Sequence, residues 1–281
     1  KDGQFKKYTE ILSPIVKEYE KWIEINLEKE LDNQSPKNKP ILEQQIREAK
    51  ESAARISKGI QLVSSEKKAA QAFRFANRVM ALQQYRGEQI KICREKGEIF
   101  TANQKDKEDE IDGKWRIFQI AFILMNLESI IHPSIENRKV ADLLWFPTGG
   151  GKTEAYLGII AFTIAFRRLI APKVKAENGE EQLSTQAYGV TVIMRYTLRL
   201  LTIQQFQRAA ALMCACEYER RNDTKTWGDL QFNVGLWVGL NTTPNALLGK
   251  DNYASAEYTL NQWKRPSTIK NPDKRPKKHN P

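Results

Sequence analysis

The residues most able to do chemistry stand together at Phe146-Pro-Thr-Gly-Gly-Gly-Lys-Thr153. Three glycines in a row let the backbone approach a bound anion closely and turn successive N–H groups toward it. A lysine directly after them carries a mobile positive charge to the β- and γ-phosphates, and a threonine after that offers a hydroxyl to Mg²⁺. Pro147, Thr148, Gly149, Gly150, Gly151, Lys152 and Thr153 therefore read as a loop that binds the phosphates of a nucleoside triphosphate. Lys152 is the candidate catalytic residue and Thr153 the candidate Mg²⁺ ligand. The general pattern G-x-x-x-x-G-K-[ST] opens with glycine, whereas Phe146 stands there in this chain.

Two flanking segments extend the site. Upstream, Trp115-Arg-Ile-Phe-Gln119 places an Arg and a Gln three apart. Downstream, Val190 to Met194 runs into Arg195-Tyr-Thr-Leu-Arg199, where Arg195 and Arg199 add charge that could position a phosphate backbone without reading its bases. The Pro-Thr-Gly-Gly-Gly-Lys-Thr loop, with Gln119 before it and Thr197 after it, resembles motif I, the Arg-x-x-Gln element and motif Ia of superfamily 2 helicases; that resemblance implies that the Gln119 amide, with its donor and acceptor, recognises the adenine edge and that Thr197 touches the nucleic-acid backbone. The runs LLWFPTGGGKTEAYLGI, RYTLRLLTIQQFQRAA and AFRFANRVMALQQ resemble more narrowly the DrmA family of helicase subunits of bacterial DISARM anti-phage systems, over about residues 10 to 245. That resemblance implies a cytoplasmic, ATP- and Mg²⁺-dependent DNA helicase or translocase working with a DrmB-like partner subunit.

A complete motor also needs an acidic pair for Mg²⁺ and water, a second RecA-like domain and an arginine finger. Glu108 to Glu110 follow no apolar strand, and Glu154 suits a helix-start carboxylate better than a catalytic base. The chain is thus expected to be the front part of a longer protein, binding nucleotide weakly and turning it over negligibly by itself. Two other classes stay open: a P-loop kinase or GTPase, and a non-catalytic nucleotide-dependent DNA-binding or assembly module.

The elements that must position these residues follow from periodicity. Ser13-Pro14 reads as a helix start, followed by apolar residues at helical spacing from Ile15 to Leu27. A break over Asp32–Pro40 precedes two long helices, Ile41–Val63 and Glu66–Lys91. Asn103–Gly113 is a charged junction. Beyond it come a helix over Trp115–Ile131, a strand over Val140–Phe146 and a helix over Lys152–Ile170. A strand over Gly189–Met194, a helix over Leu198–Arg221 and a strand over Phe232–Val238 complete the pattern. Strands alternating with helices predict an α/β class. The expected organisation is a helical N-terminal domain over 1–110, an incomplete RecA-like domain with a parallel sheet over 111–240, and a basic Pro/Lys-rich tail over 241–281.

The formal charge of +11 over 281 residues suits a polyanionic partner such as DNA, although seven basic residues against Asp273 beyond position 263 supply more than half of it. No apolar run reaches the length of a membrane span, so no membrane partner is expected. Three cysteines give no even disulfide framework, which suits a reducing cytoplasm. Cys214 and Cys216, two apart on a helix, point away from each other and read as buried free thiols. His132 and His279 are too isolated for a metal or a triad. Trp237 reads as core within its strand, and Trp263, beside Lys264 and Arg265, as an open candidate for base stacking.

Overall fold

The computed structural model describes residues 3–99, 113–147, 149–175, 179, 181–196, 199–237 and 255–256. The chain divides into two compact units, Lys1–Met194 with Ala209–Phe232, and Arg195–Arg208 with Asn233–Pro281. The expected boundaries at 110 and 240 lie outside the described residues.

The first unit is a stack of long helices. Helix α1 (Gly3–Ile23) passes into a π-helical turn, Glu24–Glu28, and returns as α2 (Lys39–Ser65), with which it packs. Leu12, Val16 and Ile23 form the buried stripe of α1. That stripe runs straight across Pro14, so the helix does not begin there as the sequence suggested. Pro14 sits inside α1, and the Ser13 hydroxyl donates to the Thr9 carbonyl instead of capping an N-terminus. Apolar burial on both sides of the proline outweighs the one backbone hydrogen bond it removes.

Only Glu66, extended at φ −95° and ψ 114°, separates α2 from α3 (Lys67–Glu95). The two then diverge: α2 lies on α4 (Ile117–Ile131), α3 lies on α5 (Lys152–Ile170), and α4 and α5 pack on each other. Gly59 makes the crossing of α2 and α4 possible, since a Cβ there would come within 2.7 Å of the Leu124 carbonyl carbon. Gly158 does the same for α5, where a Cβ would meet the Ile123 side chain at 2.7 Å and the Trp115 ring at 2.8 Å. Val63, Val79, Leu124, Leu127, Leu157 and Phe162 fill the shared core.

The expected parallel sheet is absent among the described residues. The one sheet is a pair of three-residue antiparallel strands, β1 (Lys173–Lys175) and β2 (Glu181–Leu183), with Lys173 opposite Leu183. The segments expected as strands, 140–146, 189–194 and 232–237, carry no ladder hydrogen bonds, and Val238 lies outside the described residues. The α/β, RecA-like assignment is therefore overturned in favour of a mainly helical fold. The reason is physical: a strand exists only when a second chain segment satisfies its N–H and C=O groups, and an apolar run does not say whether one is in place.

Two arginines at the end of α5 gather the loops beyond it. Arg167 donates to the carbonyls of Gln186, Tyr188 and Val190 and to the Thr191 hydroxyl. Arg168, only 4% exposed, donates to the carbonyls of Trp227 at 2.6 Å and Gln231 at 3.2 Å, with its guanidinium 3.7 Å from the centre of the Phe232 ring. Burial lowers its pKa to about 10, still cationic at neutral pH. The C-terminal part of helix α6 (Arg199–Asn222) brings Glu217, which takes two hydrogen bonds from Arg220, at 2.8 and 2.9 Å, and one at 2.6 Å from the Phe232 N–H. The short α7 (Thr224–Trp227), capped by Asp223, seats Trp227 in the core against Phe75.

Of the thiols, Cys216 is buried as expected and Cys93 is buried too, while Cys214, expected to be buried, is exposed, because residues two apart on α6 face opposite sides. Burial raises the Cys216 pKa. Trp237, expected in the core, is 94% exposed, since the strand that would have buried it does not form. His132 lies 3.5 Å from Glu66. His279 and Trp263 lie outside the described residues. No helix of the described residues is long and apolar enough to cross a membrane.

Candidate phosphate-binding site

The glycine-rich run is a tight loop that ends in the first residue of α5. Gly149 and Gly151 adopt φ of +82° and +93°, which L side chains resist, and Gly151 is the residue that precedes the helix. Gly150 is constrained differently. Its N–H donates to the Pro147 carbonyl at 3.1 Å, and a Cβ would come within 2.7 Å of the Phe146 ring. Phe146, which departs from the general pattern, thus has a role here: its ring stacks on Phe118 at 3.9 Å and walls one side of the loop. The Lys152 ammonium lies back over the loop, donating to the carbonyls of Phe146 and Pro147.

The start of α4 closes the other side. Gln119 accepts a hydrogen bond from the Arg116 N–H at 2.9 Å and donates to the Gly151 carbonyl at 2.8 Å, while the Arg116 guanidinium donates to the Gly150 carbonyl at 2.8 Å. Two consecutive loop carbonyls are thereby engaged from one side. Gln119 is buried, and on its far side it lines a cavity of about 420 Å³ shared with Asn77, Trp115, Glu154 and Tyr218. Trp115 is fixed by a 2.6 Å hydrogen bond from its indole N–H to Asn77.

The segment leading into the loop, 140–147, is held by contacts the sequence did not reveal. Arg55 of α2 forms a two-pronged pair with Asp142, 2.6 Å for each prong, with the side chains only 10% and 15% exposed. The hydrogen bond from Asp142 raises the Arg55 pKa against the opposing effect of burial, with Glu51 and Glu128 adding to the rise. Leu144 is half-buried on the same side as Asp142, whereas Leu143 and Trp145 face outward, 89% and 75% exposed. Arg55 and Asp142 lie 87 residues apart, so no local spacing signals their pairing. Arg116 did carry a signal, as the first residue of the Arg-x-x-Gln element.

The structure thus brings Gln119, Pro147, Gly149, Gly150, Gly151 and Lys152 together, with Thr153 in the first turn of α5. Thr148 and Thr197 lie outside the described residues, as does the side chain of Arg199. Arg195 is exposed and belongs to the second compact unit. Among the described residues, no group of three His, Cys, Asp or Glu side chains is placed to hold a metal ion. What the arrangement offers is a glycine-rich turn at a helix N-terminus with one lysine ammonium lying on it, which suits an anion of phosphate size.

No family model matches the chain. It is 40% identical over 255 residues to the DISARM protein DrmA of Bacillus paralicheniformis (strain ATCC 9945a / NCIMB 11709 / CD-2). The matched region takes in 90% of this chain and 21% of that relative, so the chain spans about a fifth of the length of the protein it matches.

Proposed function

From a chain homologous to a stretch of the DISARM protein DrmA, we propose that residues 147–153 bind the phosphates of ATP with Mg²⁺, as the nucleotide site of an ATP-driven DNA helicase or translocase in anti-phage defence. The observation that carries this reading is the loop itself. Two left-handed glycines flank a third that has no room for a side chain, and the lysine that follows lies back over the loop. A bound triphosphate would take the Lys152 ammonium from the Phe146 and Pro147 carbonyls, exchanging neutral acceptors for anionic ones. The N–H groups at the start of α5 would face the same phosphates.

Residue roles follow from the same geometry. Thr153, next to Lys152 in the first turn, would supply a hydroxyl to Mg²⁺, whose own chemistry is to neutralise charge on the β- and γ-oxygens. Gln119 would touch adenine with the N–H and the lone pair left over from its bonds to Gly151 and Arg116. Arg195, Thr197 and Arg199 would meet the DNA backbone. A DrmB-like partner and a cytoplasmic setting complete the proposal.

Lys152→Ala in the full-length protein tests it. Binding of a fluorescent ATP analogue should weaken by at least tenfold and ATP hydrolysis should disappear, with the thermal midpoint unchanged. Equal nucleotide binding by the variant and the wild type would remove the loop from the mechanism.

A further inference from the structure

The segment 140–147 has no neighbouring strand among the described residues, yet it delivers Phe146 and Pro147 to the loop. Two contacts fix it on the helices. At its loop end the Phe146 ring rests on Phe118, and at its far end the Asp142 carboxylate is gripped by both prongs of the Arg55 guanidinium. Four residues lie between Asp142 and Pro147, so the two are five steps apart, about 16 Å of extended chain at roughly 3.3 Å per residue. A two-pronged guanidinium–carboxylate pair sets direction as well as distance, which a single point charge does not.

We propose that Arg55, on a helix that contributes no residue to the loop, is a positioning residue for the phosphate-binding segment and acts through Asp142. The link to nucleotide affinity rests on the reading of residues 147–153 given above, but the link to the segment's position does not. Without the guanidinium, Asp142 would be a nearly buried carboxylate facing the field of Glu51 and Glu128, the two other acids that act on Arg55. Desolvation and like charge would both drive it toward water. With no ladder of backbone hydrogen bonds among the described residues to resist, the segment would follow and Phe146 would leave its seat on Phe118. The helical layer formed by α2 would thereby govern how well the loop is shaped for an anion.

Amide hydrogen exchange on the full-length protein tests the positioning directly, with Arg55→Ala, Arg55→Lys and Asp142→Asn compared with Glu217→Gln, which breaks a buried pair elsewhere in the same unit. In Arg55→Ala, amides of 141–150 should exchange at least tenfold faster while α4 and α5 keep their protection. Arg55→Lys should fall between that variant and the wild type. Glu217→Gln should leave 141–150 unchanged. Nucleotide Kd, measured well below the unfolding temperature, should rise about tenfold in Arg55→Ala and not in Glu217→Gln. Unchanged exchange over 141–150 would overturn the proposal, and so would acceleration spread evenly through α2, α4 and α5, which marks a merely structural pair. Should Arg55→Ala fail to fold, Asp142→Asn and Arg55→Lys decide by the same criteria. Failure of the phosphate reading shows separately, as equal nucleotide binding by wild type and Lys152→Ala, and the exchange result then stands on its own.

Discussion

Gly150→Ala isolates one contact in the loop. The φ of Gly150 is not in the left-handed region, so alanine meets no backbone strain there, unlike at Gly149 and Gly151. What it meets is the Phe146 ring, with Cε1 2.7 Å from the new Cβ, and the Pro147 carbonyl oxygen at 3.0 Å. Either the ring leaves its stack on Phe118 or the turn opens. Losing an aromatic stack costs about 1 kcal/mol, and forcing a methyl into a filled space costs about 1 to 3 kcal/mol. A working figure of about 2 kcal/mol corresponds to roughly thirtyfold in an equilibrium constant. In the empty protein the loop can relax, so the cost surfaces when a triphosphate demands the original arrangement.

The assay is nucleotide Kd by calorimetry across the cycle of wild type, Gly150→Ala, Phe146→Ala and the double variant. Phe146→Ala alone forfeits the stack, about 1 kcal/mol, but it also vacates the space the alanine needs. The double variant should therefore bind about as well as Phe146→Ala, giving a coupling near 2 kcal/mol, well outside the scatter of independent sites. Strictly additive effects, or an unperturbed Kd in Gly150→Ala, would show that the Phe146 ring does not wall the loop.

Two further outcomes concern the scaffold. Gly59→Ala pushes a methyl into the Leu124 backbone, so α2 and α4 must separate; thermal unfolding should report a loss of about 1 to 3 kcal/mol, and an unchanged midpoint would contradict so close a crossing. Burial pushes the Glu217 pKa upward, but the hydrogen bonds from Arg220 and the Phe232 N–H, with the charges of Arg220 and Arg168, prevail and hold it below its ordinary value of 4.5. A depressed carboxylate stabilises the fold fully above its unfolded pKa and loses that contribution as pH falls through the folded one. The difference in urea midpoint between wild type and Glu217→Gln should thus stay constant from about pH 6 to 8 and shrink below about pH 4.5. Parallel curves would refute the assignment.

How far the sequence reaches depends on how local each feature is. The long helices α2 to α6 follow from apolar spacing, and the loop from glycines whose backbone demands are written in the residues themselves. Ser13-Pro14 misled because a local start signal was overridden by a buried stripe passing through it. The three expected strands misled because Val, Ile and Trp describe what a side chain prefers, while pairing is a property of a second segment. The strands that do form, β1 and β2, are short, charged and, apart from Leu183, exposed, so composition hid them; the Asn178-Gly179 pair between them was their available signal. Arg55 and Asp142 were invisible for the same reason as the sheet: their meeting is decided by how α2 lies on α4.

The break at Glu66 has a mechanical consequence. On one side of it, α2 rides on α4, whose first turn holds the carbonyls of Gly150 and Gly151. On the other side, α3 rides on α5, which begins with Lys152. Each flank of the loop is backed by its own shaft of 27 or 29 residues, and a single non-helical residue joins the shafts. A single non-helical residue thus sets the angle between the two helices that back opposite flanks of the loop.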